Sequence, residues 1–170
     1  MARGADERAI VRGAQRGSAS DLEALFRLHW SRCHRAAFLI VGDAAAAEDI
    51  AQEAFLAAIR ALDRFDRRRP FGPWLHRIVV NRAIDHARAR ALRREAELGD
   101  PVPAPAAAEP ADGTLLAAIA ALPPEQRAVV VLRHLLEYTP GEIADLLELP
   151  RGTVNSRLRR GLDALKERLQ

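Results

Sequence analysis

Apolar residues recur at helical spacing through most of this 170-residue chain, and nowhere do they alternate as in a half-buried strand. The pattern is sharpest near the C-terminal end. Ile143, Leu146 and Leu147 make one stripe. Thr139 and Glu142 before them have the S/T-x-x-E spacing of a capping box, with Pro140 at the first helical position, where its missing N–H costs nothing. After a tight turn, Val154, Leu158, Leu162 and Leu165 recur at i, i+4, i+8 and i+11 and are expected to share one buried face. Helices are therefore predicted over 140–148 and 151–168, preceded by others near 114–121 and 124–136.

The first half predicts four more helices. One covers about 6–16 and stops at Gly17. The next begins at a Ser20-x-x-Glu23 capping box and runs through Leu25, Phe26, Trp30, Ala37 and Leu39 to Gly42. A third covers about 44–63, with Ile50, Phe55 and Ile59 toward the core. The last starts where Pro73 follows Gly72 and continues to about 95. Between the two groups, prolines at 101, 103, 105 and 110 forbid a continuous helix, and the stretch has little apolar surface to bury. At about 3.1 Å per residue it reaches on the order of 50 Å, similar to about 15 base pairs of duplex. The expected fold is all-α: two small helical domains, 1–95 and 114–170, joined by a Pro/Ala-rich acidic linker over 96–113.

Composition supports a helical chain, rich in Ala, Leu and Arg. The net charge of +3 is modest, but residues 1–95 hold 18 basic and 12 acidic groups, whereas 96–112 hold 4 acidic groups and no basic one. A basic first part points to a polyanionic partner, although an Arg-rich solvated surface looks similar. Cys33 is the only cysteine, so no internal disulfide forms. No apolar run approaches a membrane span and the N-terminus lacks the core of a signal peptide, so a cytoplasmic location without membrane insertion is expected.

Three surfaces carry candidate chemistry. On the last helix Gly152, Thr153, Ser156, Arg159 and Arg160 lie opposite the apolar stripe, flanked by Asn155 and Arg157 and preceded by Arg151. Hydroxyls, an amide and guanidiniums near a helix N-terminus suit base edges and phosphates, though a solvated helix pair shares the pattern. The third helix presents Glu48, Asp49, Gln52 and Glu53, an acidic and amide face on a basic domain, which also fits an ordinary charged surface. On the fourth, Arg77, Asn81, Asp85 and Arg88 share a stripe bordered by Trp74 and Ile78, behind the loop Phe65-Asp-Arg67-Arg68-Arg-Pro-Phe71. Aromatics beside Arg and Asn hold unstacked bases, unless Phe65, Phe71 and Trp74 are core anchors. His29 and Cys33 are four apart, but no fourth ligand stands near, so no metal site is expected.

Four stretches, in order, carry a family resemblance: Ala47-Glu-Asp-Ile-Ala-Gln-Glu-Ala-Phe55, Phe71-Gly-Pro-Trp-Leu-His-Arg-Ile-Val-Val-Asn-Arg-Ala-Ile-Asp85, Leu122-Pro-Pro-Glu-Gln-Arg127, and Ile143-Ala through Gly152-Thr-Val-Asn-Ser-Arg157. The chain resembles bacterial RNA polymerase sigma factors of the extracytoplasmic-function (ECF) type, across nearly its whole length apart from the linker. The resemblance implies that residues 1–95 are region 2, with Glu48, Asp49, Gln52 and Glu53 docking on the β′ clamp helices of core polymerase. It implies −10 recognition and melting by Phe65, Arg67, Arg68, Trp74, Arg77, Asn81, Asp85 and Arg88, with Asn81 a reader of a flipped non-template base. It implies −35 duplex reading by region 4 through Arg151, Thr153, Asn155, Ser156 and Arg157, with Arg159 and Arg160 on phosphates. The β flap and an anti-sigma factor are further implied partners.

His76 stands where the family often has an aromatic and Asn155 where Lys is common, which bears on the promoter sequence read. No nucleophile elbow, Gly-rich phosphate loop or supported carboxylate pair is present, so neither catalysis nor a cofactor is expected. The alternative function is a free-standing helix-turn-helix repressor or activator, which leaves Glu48–Glu53 and the Arg-rich loop without a role.

Overall fold

The computed structural model describes residues 2–98 and 114–170. The expected linker lies outside them, save for its first three residues. The elements are α1 (Ala2–Gln15), α2 (Ala19–Val41), α3 (Ala44–Ala61), a 3-10 turn (Leu62–Arg64) and α4 (Phe71–Leu98). They continue with α5 (Leu115–Ala120), α6 (Pro124–His134), α7 (Pro140–Leu147) and α8 (Arg151–Arg168). The described residues contain no strand, and the fold is all-α as expected.

Local chemistry explains most boundaries. Ser18 caps α2, its Oγ accepting from the Asp21 N–H at 3.3 Å. The sequence reading placed that role on Ser20, two residues too late. Gly42 closes the same helix at φ 70°, donating to Phe38 O, a left-handed conformation that glycine adopts without Cβ strain. Asp43 then caps α3. The Thr139–Glu142 capping box is complete, with both reciprocal hydrogen bonds formed. The third helix tightens into the 3-10 turn at Leu62, and α4 runs three residues beyond its expected end.

Helix α2 is the central column. It packs against α1, α3 and α4 and, on another side, against α5 and α6; α6 also touches α4, and α7 and α8 complete the second group. One apolar core runs through both groups, with Cys33, Ile40, Leu75, Val79 and Val80 fully buried in the first and Val129, Leu132, Ile143 and Val154 in the second. Two expected core positions are wrong. Ile59 is 47% exposed and Leu162 42%. At 100° per residue, Leu162 lies 80° round from Val154, whereas Gly161 lies within 20° of it. Gly161 is the buried residue, close enough to α6 that a Cβ there would meet Val130 Cγ2 at 3.0 Å.

Arg127 ties the groups together. Its buried guanidinium donates to the carbonyls of Ile40, at the end of α2, of Ala120, at the end of α5, and of Leu122, in the turn that follows. Helix C-termini leave carbonyls without intrahelical donors, and a cation meets their negative dipole ends. Burial pulls this guanidinium down to about 10.

Candidate nucleic-acid interface

Helix α8 is held by its apolar seam of Val154, Leu158, Gly161 and Leu165 against α6 and α7. That grip turns the other side outward. Arg151, Gly152, Asn155, Arg159 and Arg160 are exposed, while Thr153, Ser156 and Arg157 are half-buried along its edges. Arg160 Nη2 donates to Ser156 Oγ at 2.8 Å, fixing both side chains on one turn. A Cβ on Gly152 would meet nothing within 4 Å, so the backbone there is open to an approaching surface. The α7–α8 pair, with α8 presenting these groups from its first three turns, has the layout of a helix-turn-helix reading unit.

On α4 the stripe of Arg77, Asn81, Asp85 and Arg88 faces away from Leu75, Val79, Val80 and Ala83, which are fully buried. Asn81 and Asp85 are exposed. Arg77 pairs with Glu148 at 2.6 Å and Arg88 with Glu125 at 2.6 Å, both acids coming from the second helical group. Burial raises the Glu125 carboxyl, but the hydrogen bond from Arg88 and other contacts outweigh it and leave the group below its ordinary range.

The aromatic platform takes a different form from the one expected. Phe65 and Phe71 are buried, with ring centroids 5.7 Å apart, and Trp74 lies 4.6 Å from Phe65 and 5.5 Å from Phe71. Of the three, only Trp74 is partly exposed. Phe65 is therefore a core anchor beneath the loop in this structure, and its ring does not present a stacking face to solvent. Arg67 and Arg68 are exposed; Arg68 is held by Asp66, which accepts from its Nε and backbone N–H at 3.0 Å each.

Glu48, Asp49, Gln52 and Glu53 are all exposed on one face of α3, with Gln52 donating to Glu48 at 3.2 Å and Arg82 to Glu53 at 3.0 Å. Sequence reading missed what continues that face. Leu56 is 52% and Ile59 47% exposed one and two turns on, beside Phe26 of α2 at 41%. Their signal was available: on a helical wheel Leu56 falls between Gln52 and Asp49. The acidic patch thus borders an apolar shelf, the combination that protein interfaces use.

His29, Cys33 and His34 do not form a metal centre. His29 Nε2 is bonded to Glu7 at 2.7 Å, Cys33 is fully buried with its thiol pushed up to about 12, and no described residues gather as metal ligands. No described helix is long and apolar enough to cross a membrane.

Comparison with known proteins agrees with this geometry. Residues 25–93 match the family model for sigma-70 region 2 and residues 112–165 that for sigma-70 region 4. The ECF RNA polymerase sigma factor SigL of Mycobacterium tuberculosis is 34% identical over 170 residues, spanning 95% of this chain and 96% of that protein. SigW of Bacillus subtilis is 29% identical over 178 residues, spanning 94% and 95%. Among solved structures, CnrH in complex with the cytosolic domain of CnrY superposes with a TM-score of 0.71 at 27% identity, covering 95% of each chain. The sigma factor RpoE of Bartonella quintana, in complex with the anti-sigma factor NepR, shares the fold at a TM-score of 0.72 and 21% identity, covering 89% of this chain and 98% of that one. With both regions matched and a full-length relative above 30% identity, the chain belongs to the sigma-70 family of RNA polymerase sigma factors, in its ECF group, and is a transcription initiation factor whose partners are core RNA polymerase and promoter DNA.

Proposed function

We propose that three surfaces divide the work of initiation. Residues 1–95 act as region 2, with Glu48, Asp49, Gln52 and Glu53, extended by Leu56, Ile59 and Phe26, docking on the β′ clamp helices. Asn81, Asp85, Trp74, Arg77 and Arg88, with Arg67 and Arg68, capture the melted −10 strand. Residues 114–170 act as region 4, reading the −35 duplex through α8 and meeting the β flap, and 96–113 tether the two. The observation that supports this division most is the α7–α8 unit, whose buried seam leaves Arg151, Asn155, Arg159 and Arg160 exposed on one helix. Strand opening draws on binding energy held in three patches rather than on catalysis by this chain, and the factor works in the cytoplasm. An anti-sigma protein covering the α3 face is a natural regulator; RpoE of Bartonella quintana was solved in complex with the anti-sigma factor NepR, and CnrH with the cytosolic domain of CnrY.

The test is a pull-down and in vitro transcription with core polymerase, wild type against Asp49→Arg/Glu53→Arg, the fold checked by circular dichroism. Wild type is expected to bind core and start transcripts at discrete sites, with both lost in the variant. Retardation of specific duplex by the protein alone, without affinity for core, replaces this reading with a free-standing regulator.

A further inference from the structure

Helix α1 lies outside every role assigned so far, yet it is fixed against the −10 loop. Gln15 Nε2 donates to Leu62 O at 2.8 Å and to Phe65 O at 3.0 Å, holding the end of α1 to the backbone where that loop begins. Glu7 anchors its other half to His29 of α2 at 2.7 Å, and Val11 and Ala14 are buried. The arginines one turn apart on its outer side are thus set in place. Arg8 and Arg12 line one open cavity of about 330 Å³ together with Arg67 and Arg68 of the loop. Asp66, bonded to Arg68, is the carboxylate tied to this group.

We propose that Arg8 and Arg12 form, with Arg67 and Arg68, a groove for the phosphodiester backbone of the single strand held at the −10 loop. Four guanidiniums against one carboxylate are an anion site, since each presents several N–H donors to phosphate oxygens. The shape chooses among anions. A small polyphosphate is held by enclosure, with most of its surface buried, whereas this groove is open and two of its four lining arginines belong to the loop. A polymer running past the loop fits it. The inference rests on the −10 reading above, and assigns α1 a part in it.

The test uses holoenzyme reconstituted with core polymerase and a forked probe, duplex upstream with a single-stranded non-template extension, its sequence taken from the mapped start sites. Arg8→Ala/Arg12→Ala is compared with wild type across a salt series, with Arg8→Lys/Arg12→Lys as a charge-preserving control. The expected result is core affinity unchanged, probe affinity down by about tenfold at low salt, and a log–log salt slope shallower by on the order of 1, each single-strand phosphate left unneutralised removing about 0.7. The Lys pair should retain most of the slope. Wild type that transcribes, with an Ala variant of identical slope, overturns the inference alone. Wild type that neither binds core nor initiates overturns the parent reading and this with it. Inorganic tripolyphosphate is the second probe: affinity for it lost in the Ala variant, with DNA binding intact, reassigns the groove to a free polyphosphate.

Discussion

Arg77 on α4 and Glu148 at the end of α7 form a 2.6 Å ion pair, so a candidate −10 contact is held by an acid from the proposed −35 unit. Both side chains are substantially exposed, at 40% and 71%, so the pair contributes no more than about 1 kcal/mol. A DNA strand that takes Arg77 as a ligand competes with Glu148 for it. Glu148→Gln is therefore expected to tighten holoenzyme binding to a forked promoter probe by up to about fivefold, with the gain fading as salt screens the pair. Weaker binding in the variant would mean that Glu148 supports the site instead.

Arg127 holds the ends of two helices with one buried guanidinium. Arg127→Met keeps the stem but leaves the carbonyls of Ile40, Ala120 and Leu122 without this donor. A loss of about 3 kcal/mol is expected, read as a lower urea midpoint, since hydrogen bonds to charged groups contribute about 1.5–3 kcal/mol each and do not add fully.

His76 makes stability sensitive to acid. Burial first, then the nearby His29 and Arg32, pull its imidazole down to about 4 against the opposing pull of Glu7, and its Nδ1 shares a 2.7 Å hydrogen bond with Tyr138 Oη. Between the ordinary value of 6.5 and about 4 the unfolded chain binds a proton that the folded chain refuses. Stability is therefore full above pH 6.5 and falls as pH drops through that window, by about 3 kcal/mol at its lower end. Unfolding free energy against pH checks this, and His76→Phe should flatten the acid limb.

Helical propensity and DNA binding are expected to part company at Gly152. A Cβ there meets nothing, so Gly152→Ala should raise stability by up to about 0.5 kcal/mol. If the bare backbone serves close approach to duplex, the same change weakens −35 binding. Thermal melting and a −35 duplex titration with holoenzyme separate the two effects.

Cys33 is expected to resist thiol reagents in the native protein, being fully buried with a thiol raised to about 12. Labelling should appear only with denaturant. Rapid labelling of the native protein would show that the thiol is reached without unfolding.

What the sequence made legible was local. The Thr139–Glu142 box, the Gly42 stop and the outward faces of α3 and α8 follow from neighbours within a few turns. Errors arose where a wheel position was extrapolated, as with Leu162 taken for Gly161, or where two caps competed, as with Ser20 and Ser18. Whether Phe65 faces solvent or the core stayed open in the sequence, because nothing in an aromatic's position says which way its ring turns; the structure buries it. Pairings between the helical groups, such as Arg127 with Ile40 and His76 with Tyr138, join residues far apart in the chain and leave no periodic trace.

The shared core between α6 and the α2–α4 pair sets a threshold. For any partner that needs the two groups apart, apparent affinity is the intrinsic value scaled by the separated fraction. With about one molecule in a hundred separated, binding is about a hundredfold weaker than the contact surfaces alone dictate, and reversing that ratio takes a preference of about ten-thousandfold. Substitutions along α6 that touch no such partner would thus shift its apparent affinity without altering the surfaces it contacts.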